Sequence, residues 1–173
     1  MDGAPVAGGA VLIGPDGRIA AAGPGESVPH PPGVPSEHFA GAALLPGLVN
    51  AHTHLELTGL AGAIDEPEFE AWIRRIIALK ATFDYAHFLR AARAGVRDCF
   101  AAGVTTVADT GDSGAVIEAL AAEGGSGIAY QEVFGPHPGQ CAESLAGLKA
   151  RVHERRRFVS SRIRIGVSPH APY

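Results

Sequence analysis

At 173 residues, with 46% hydrophobic and 18% charged side chains and a mean hydropathy of +0.12, the chain is long enough to bury a core and too apolar to be disordered. A formal charge of −4 and a pI near 6.0 exclude the basic surface that nucleic acid or an anionic membrane requires. No apolar run approaches the roughly 18 residues of a membrane span, so the expected partner is a small molecule.

Two cysteines, Cys99 and Cys141, and the lack of a basic then apolar opening segment point to neither a disulfide framework nor export, and the cytoplasm is the expected compartment. In chain order, Ala10 to Ile13 and Arg18 to Ala22 are short apolar stretches around Pro15-Asp16-Gly17, which predicts a hairpin. Gly23 to Pro35, rich in proline and glycine, predicts a loop. A strand is expected over Leu48 to His52. A helix follows over Pro67 to Lys80, where Phe69, Trp72, Ile73, Ile76 and Ile77 recur at helical spacing. A second helix, Asp84 to Ala102, puts Tyr85, Leu89, Ala92, Val96, Cys99 and Phe100 on one face and stops at Gly103.

The alternation continues with a strand over Val104 to Ala108, a helix over Ala115 to Glu123, a strand over Ile128 to Val133, a helix over Ala142 to Phe158 and a strand over Ile163 to Val167. Apolar, β-branched strands separated by helices imply a parallel sheet with right-handed crossovers. The basic run Arg151 to Arg157, near a helix carboxyl end, reads as a solvated face.

The chemistry concentrates at His52 and His54, which close the first of these strands. Side chains two apart on a strand point the same way, so the two imidazoles can converge on one ion at the strand's carboxyl end, where α/β barrels build their sites. Taken alone, a His-x-His is more often a pair of surface or hydrogen-bonded histidines. The other histidines, His30, His38, His87, His137 and His153, have no paired spacing and read as loop or helix positions.

Four blocks in order carry a resemblance over nearly the whole chain: LLPGLVNAHTHLEL (44–57), GVTTVADTGDS (103–113), IAYQEVFGP (128–136) and IRIGVSPHAPY (163–173). They resemble the amidohydrolase superfamily, in the branch of the cytosine, guanine, S-adenosylhomocysteine and aminodeoxyfutalosine deaminases and the triazine hydrolases. HTHLEL followed by Phe69-Glu70-Ala71-Trp72-Ile73 is most similar to the aminodeoxyfutalosine type. The resemblance implies an α/β fold in which residues 1–44 are part of a small β-sandwich and residues 45–173 are the first four β/α units, the first half, of a metal-dependent (β/α)8 TIM barrel.

It further implies one divalent ion, Zn2+ or Fe2+, with His52 and His54 as the first-strand ligands and His170 as a substrate contact beside the metal. Such an ion lowers the pKa of its water from near 16 to about 7 and so supplies a nucleophile at neutral pH. Attack at the amine-bearing carbon of a purine- or pyrimidine-type ring expels ammonia. Glu56, one strand step beyond His54, and Glu132, at the end of the third barrel strand, are expected to line the pocket, or else to support a ligand or lie at the surface. His170 alone is also readable as a histidine capping a strand end.

The family pattern further requires a histidine from the fifth strand, a glutamate three residues later and an aspartate from the eighth, none of which this sequence contains. Its start is also short of the pattern. The expectation is therefore a truncated chain, inactive alone, whose exposed half-barrel edges self-associate. Two alternatives stay open: another hydrolysis on the same scaffold, such as opening of a cyclic amide or dechlorination, and a catalytically dead half-barrel that pairs with another chain.

Overall fold

A computed structural model describes residues 4–135 and 137–170, and the chain divides after Leu44 into two compact units. In the first unit, β1 (Gly9–Ile13) and β2 (Ile19–Pro24) form an antiparallel hairpin. Gly17, at φ +74°, takes the left-handed position of its turn, and Asp16 accepts the Arg18 amide at 3.1 Å. β2 runs on to Pro24 because Gly23 and Pro24 pair with Ala10 and Gly9. A 3-10 turn over Gly25–Ser27 follows, so the loop expected from Gly23 starts only after it.

The second unit runs β3 (Leu48–Thr53), α1 (Phe69–Lys80), α2 (Tyr85–Ala101), β4 (Val104–Gly111), α3 (Ala115–Glu123), β5 (Ser126–Val133), α4 (Cys141–Arg155) and β6 (Ile163–Pro169). The four strands form a parallel sheet in the order β3-β4-β5-β6, the expected α/β arrangement. α2 begins at Asp84, whose side chain accepts the His87 amide at 2.7 Å, and ends before Gly103 at φ +78°. Its Ala92 and Val96 pack with Ala115, Ile117 and Leu120 of α3 against Val107, Ala129 and Ile163 of the sheet. One face of the sheet is thereby closed by helices.

The strands outrun the sequence-based expectation at their carboxyl ends, because Asp109, Thr110 and Gly111 continue the pairing of β4 with Ala129, Tyr130 and Gln131 of β5. Two expectations are corrected. Glu56 is not a strand step beyond His54. The strand stops at Thr53 and Leu55–Leu60 form a 3-10 turn, since the Leu55 amide bonds the Asp109 carboxylate and the Leu57 amide returns to the His54 carbonyl. Nor is the basic run wholly a solvated face. The Arg155 side chain, 11% exposed, donates to the carbonyls of Ser113 and Gly114 at 2.9 and 3.1 Å and holds the loop that opens α3. The Ala171–Tyr173 end of the fourth block lies outside the described residues.

Gly127, at φ +143°, pairs with Val107 where only a glycine fits, for a Cβ there would sit 2.0 Å from the Val107 carbonyl oxygen. Gly127→Ala is therefore expected to lower stability by about 3 kcal/mol, combining backbone strain with overpacking. Urea unfolding at unchanged m-value checks this, and a midpoint within error of wild type refutes it.

Candidate metal centre

Because the four strands are parallel, their carboxyl ends share one edge of the sheet, and the alternation of side chains decides what reaches each face there. On β3 the buried residue is Thr53, on the helix-covered side with Val107 and Asp109. His52 and His54 therefore project from the opposite, open face. Their rings lie edge to face with centroids 4.9 Å apart, close enough to share an ion.

The His54 ring is oriented by its neighbour strand, with Nδ1 2.7 Å from the Thr110 carbonyl oxygen. A carbonyl can only accept, so Nδ1 carries the proton and Nε2 presents a lone pair, the tautomer a metal ligand needs. The His52 amide donates to Asn50 Oδ1 at 3.2 Å. Among the described residues no group of three or more His, Cys, Asp or Glu side chains is placed to hold an ion. The donor set thus fits a metal with two imidazoles.

At the far side of the sheet, His170 follows β6. Its amide bonds the Val133 carbonyl at 3.0 Å, its Nδ1 lies 2.9 Å from Glu132 Oε1, and its ring packs on Phe134 with centroids 4.4 Å apart. The structure thus joins His170 and Glu132 as one unit. Three strand spacings of about 4.8 Å, some 14 Å along the sheet, separate β3 from β6, so this unit stands at the opposite end of the same carboxyl edge from the histidine pair.

Glu56 is 3% exposed and belongs to a different cluster. Its carboxylate accepts from the Ser113 hydroxyl, from the Ser113 and Asp112 amides at 3.2 and 3.4 Å, and from Lys80 Nζ at 3.1 Å. Lys80, the last residue of α1, also bonds Asp112. Burial, with the neighbouring Asp112, pushes the Glu56 carboxyl above its usual range. Burial alone would depress the Lys80 ammonium, but Asp112 and Glu56 outweigh it and hold it above its ordinary value. Gly111 leaves room for this carboxylate, since a Cβ there would lie 2.8 Å from Glu56 Oε2. A cleft of about 350 Å³ beside the cluster is walled by Ile77, Phe88 and Phe134, with Lys80 and Asp112 at its polar side.

Sequence reading missed Asp109, Lys80 and Thr53. Asp109 is 1% exposed and its Oδ2 accepts both the Thr53 hydroxyl and the Leu55 amide at 2.7 Å. Burial raises its pKa, against the pull of those two donors and of His54. The signal was a charged residue standing in phase with Val107 in the β-branched strand VTTVADTG.

Residues 43–173 match the amidohydrolase family. The chain is a member of that family. Among curated relatives, this amidohydrolase is 32% identical to the aminodeoxyfutalosine deaminase of Deinococcus radiodurans, the match covering 100% of this chain and 40% of that protein. It is 30% identical to the 5-methylthioadenosine/S-adenosylhomocysteine deaminase of Symbiobacterium thermophilum, over 95% and 38% respectively. The chain thus spans about two fifths of the length of these relatives.

Among solved structures, an adenosine deaminase from Xanthomonas campestris with bound zinc superposes with a TM-score of 0.62 at 22% identity, covering 74% of this chain and 30% of that one. Helicobacter pylori aminofutalosine deaminase in complex with methylthio-coformycin gives 0.61 at 18%, covering 74% and 31%. The fold of the second unit is that of the first β/α units of an amidohydrolase barrel.

Removing the cation from the Glu56 cluster leaves a buried carboxylate with only neutral donors. Lys80→Met is expected to cost about 3 kcal/mol, at the low end for a broken buried pair because the Lys80 side chain is 21% exposed. Denaturant titration of the variant tests this, and a loss below about 0.5 kcal/mol would show that the backbone amides alone carry Glu56.

Proposed function

We propose that this chain supplies the first-strand half of the site of a metal-dependent deaminase acting on an adenosine-type, aminated heteroaromatic substrate. The observation that carries the reading is the His52–His54 pair at the carboxyl edge of a parallel sheet, with His54 Nδ1 committed to the Thr110 carbonyl and Nε2 presented. The ion, zinc or iron, would contribute an activated water at neutral pH. His52 and His54 hold it. His170, backed by Glu132, meets the substrate across the pocket, and the Glu132 carboxylate fixes which ring nitrogen His170 turns toward it.

The relatives named as deaminases of aminodeoxyfutalosine and of 5-methylthioadenosine/S-adenosylhomocysteine support an adenosine-type substrate class for this chain. Glu56 is occupied by its charge network with Lys80 and Asp112, so its part in this reading is to support the edge beside the histidines. With two imidazole donors brought together among the described residues, the 173-residue chain is expected to bind zinc weakly and to turn over no substrate alone.

Leu48 and Val49 of the edge strand β3, 58% and 67% exposed, are the surface through which we expect it to self-associate or pair with further β/α units. Free Cys99 and Cys141 suit a reducing compartment, and no helix among the described residues is long and apolar enough to cross a membrane.

Two measurements test the reading. Calorimetry should show zinc uptake by the chain that weakens on acidification, as protons compete for imidazole nitrogen, and that is lost in the His52→Ala/His54→Ala double variant. Equal uptake by that variant would place the metal elsewhere. A chimera in which this chain replaces the matched segment of the Deinococcus enzyme should release ammonia from aminodeoxyfutalosine and lose that activity with His52→Ala. A chimera that folds and binds zinc yet releases none would count against deamination.

A further inference from the structure

Asp109 is a buried acid with no assigned task. Among the described residues it forms no ion pair, and its Oδ2 takes two neutral donors at 2.7 Å, the Thr53 hydroxyl and the Leu55 amide. Those donors flank His54 in sequence. His54 itself sits at φ −132°, ψ +67°, outside both the strand and the helix regions, at the point where β3 gives way to the 3-10 turn.

Both neighbours of His54 are held by one oxygen, Asp109 Oδ2. The next residue of β4 completes the arrangement, since the Thr110 carbonyl is what His54 Nδ1 meets. Two consecutive residues of one strand thus grip the backbone on either side of His54 and its ring.

We propose that Asp109 is the positioning residue of the metal pair: by pinning Thr53 and Leu55 on the helix-covered side of the sheet, it turns His54 onto the Thr110 carbonyl and holds Nε2 toward the open face. The proposal rests on the reading that His52 and His54 hold an ion. Asp109 need not touch that ion, for its side chain lies with Thr53 and Val107 on the opposite face of the strands from the two imidazoles.

A carboxylate suits the task better than an amide or hydroxyl, because an ionised oxygen makes the shorter and stronger bonds to O–H and N–H donors. The competing account is that Asp109 merely closes the end of β3. It predicts a less stable protein whose His54 ring is undisturbed.

The test uses the 173-residue chain with Asp109→Ala, Asp109→Asn and Thr53→Val, each checked for a cooperative melt. Zinc affinity is measured by calorimetry, and the His54 tautomer by ring 15N NMR without metal. In Asp109→Ala we expect zinc affinity to fall about 10-fold and the His54 signals to move from the single Nδ1-protonated form toward a mixture. Asp109→Asn, which still offers one carbonyl oxygen to both donors, should remain within about 3-fold of wild type.

A folded Asp109→Ala with wild-type affinity and an unchanged His54 spectrum overturns the proposal. If Asp109→Ala does not fold, Thr53→Val decides, with about 3-fold weaker zinc and a partial tautomer shift expected. No change in either overturns the proposal. Should the wild-type chain take up no zinc, the metal reading fails by itself, and the His54 tautomer still reports on Asp109.

Discussion

Parallel pairing of β3, β4, β5 and β6 is the constraint from which the site follows. It sends all four carboxyl ends to one edge, and the two-residue period of a strand then sorts every side chain there between two faces. Thr53, Asp109 and Gln131 go to the helix-covered side and are buried. His52 and His54 go to the other, and Glu132 reaches His170. A shift of one residue in the β3–β4 register would exchange Thr53 with a histidine and turn the candidate ligands into the helix layer. The helices cover the face to which Thr53 and Asp109 are sent. The alanine-rich contact between α2 and α3, with Ala92, Ala115 and Ala119 fully buried, lets them lie close and press Val107 and Ala129 into place.

Three buried carboxylates crowd this edge, and each is accommodated differently. Glu56 has an ammonium and two backbone amides, Glu132 has an imidazole, and Asp109 has a hydroxyl and one amide. Glu132 also raises the Asp109 pKa, a minor effect beside burial but a sign that the two carboxylates feel one another. With Lys80 committed to Glu56 and Asp112, no lysine or arginine ion pair balances Asp109 among the described residues.

The order of β/α units and the histidine pair were legible in the sequence because both are periodic signals: apolar β-branched runs, helical spacing, and two residues of one type two apart. What escaped was what periodicity does not encode. Glu56 continued the count of alternate residues, yet the strand ends three positions earlier because a side chain fifty-odd residues away, Asp109, captures the Leu55 amide. Lys80 looked like an ordinary helix-ending lysine. Its partners, Glu56 and Asp112, come from two different loops that only the folded sheet brings together. Arg155 escaped for the same reason, since a run of arginines at a helix end is usually solvated and nothing local reveals the Ser113 and Gly114 carbonyls that it meets. Lateral contacts between strand ends are non-local, and one sequence read by pattern carries little information about them.

Holding His54 from behind has a consequence for how this edge of the sheet tolerates change. His54 is gripped through backbone neighbours and one carbonyl, Thr110, which no substitution can delete. Only Asp109 and Thr53 are side chains, and both are shielded from the pocket on the helix-covered face. The open face can therefore vary around His52 and His54 without disturbing the two side chains that hold the backbone beside His54. Residues that hold a side chain from the covered face can stay fixed while the open face varies, and that separation is one way in which a single fold can serve many reactions.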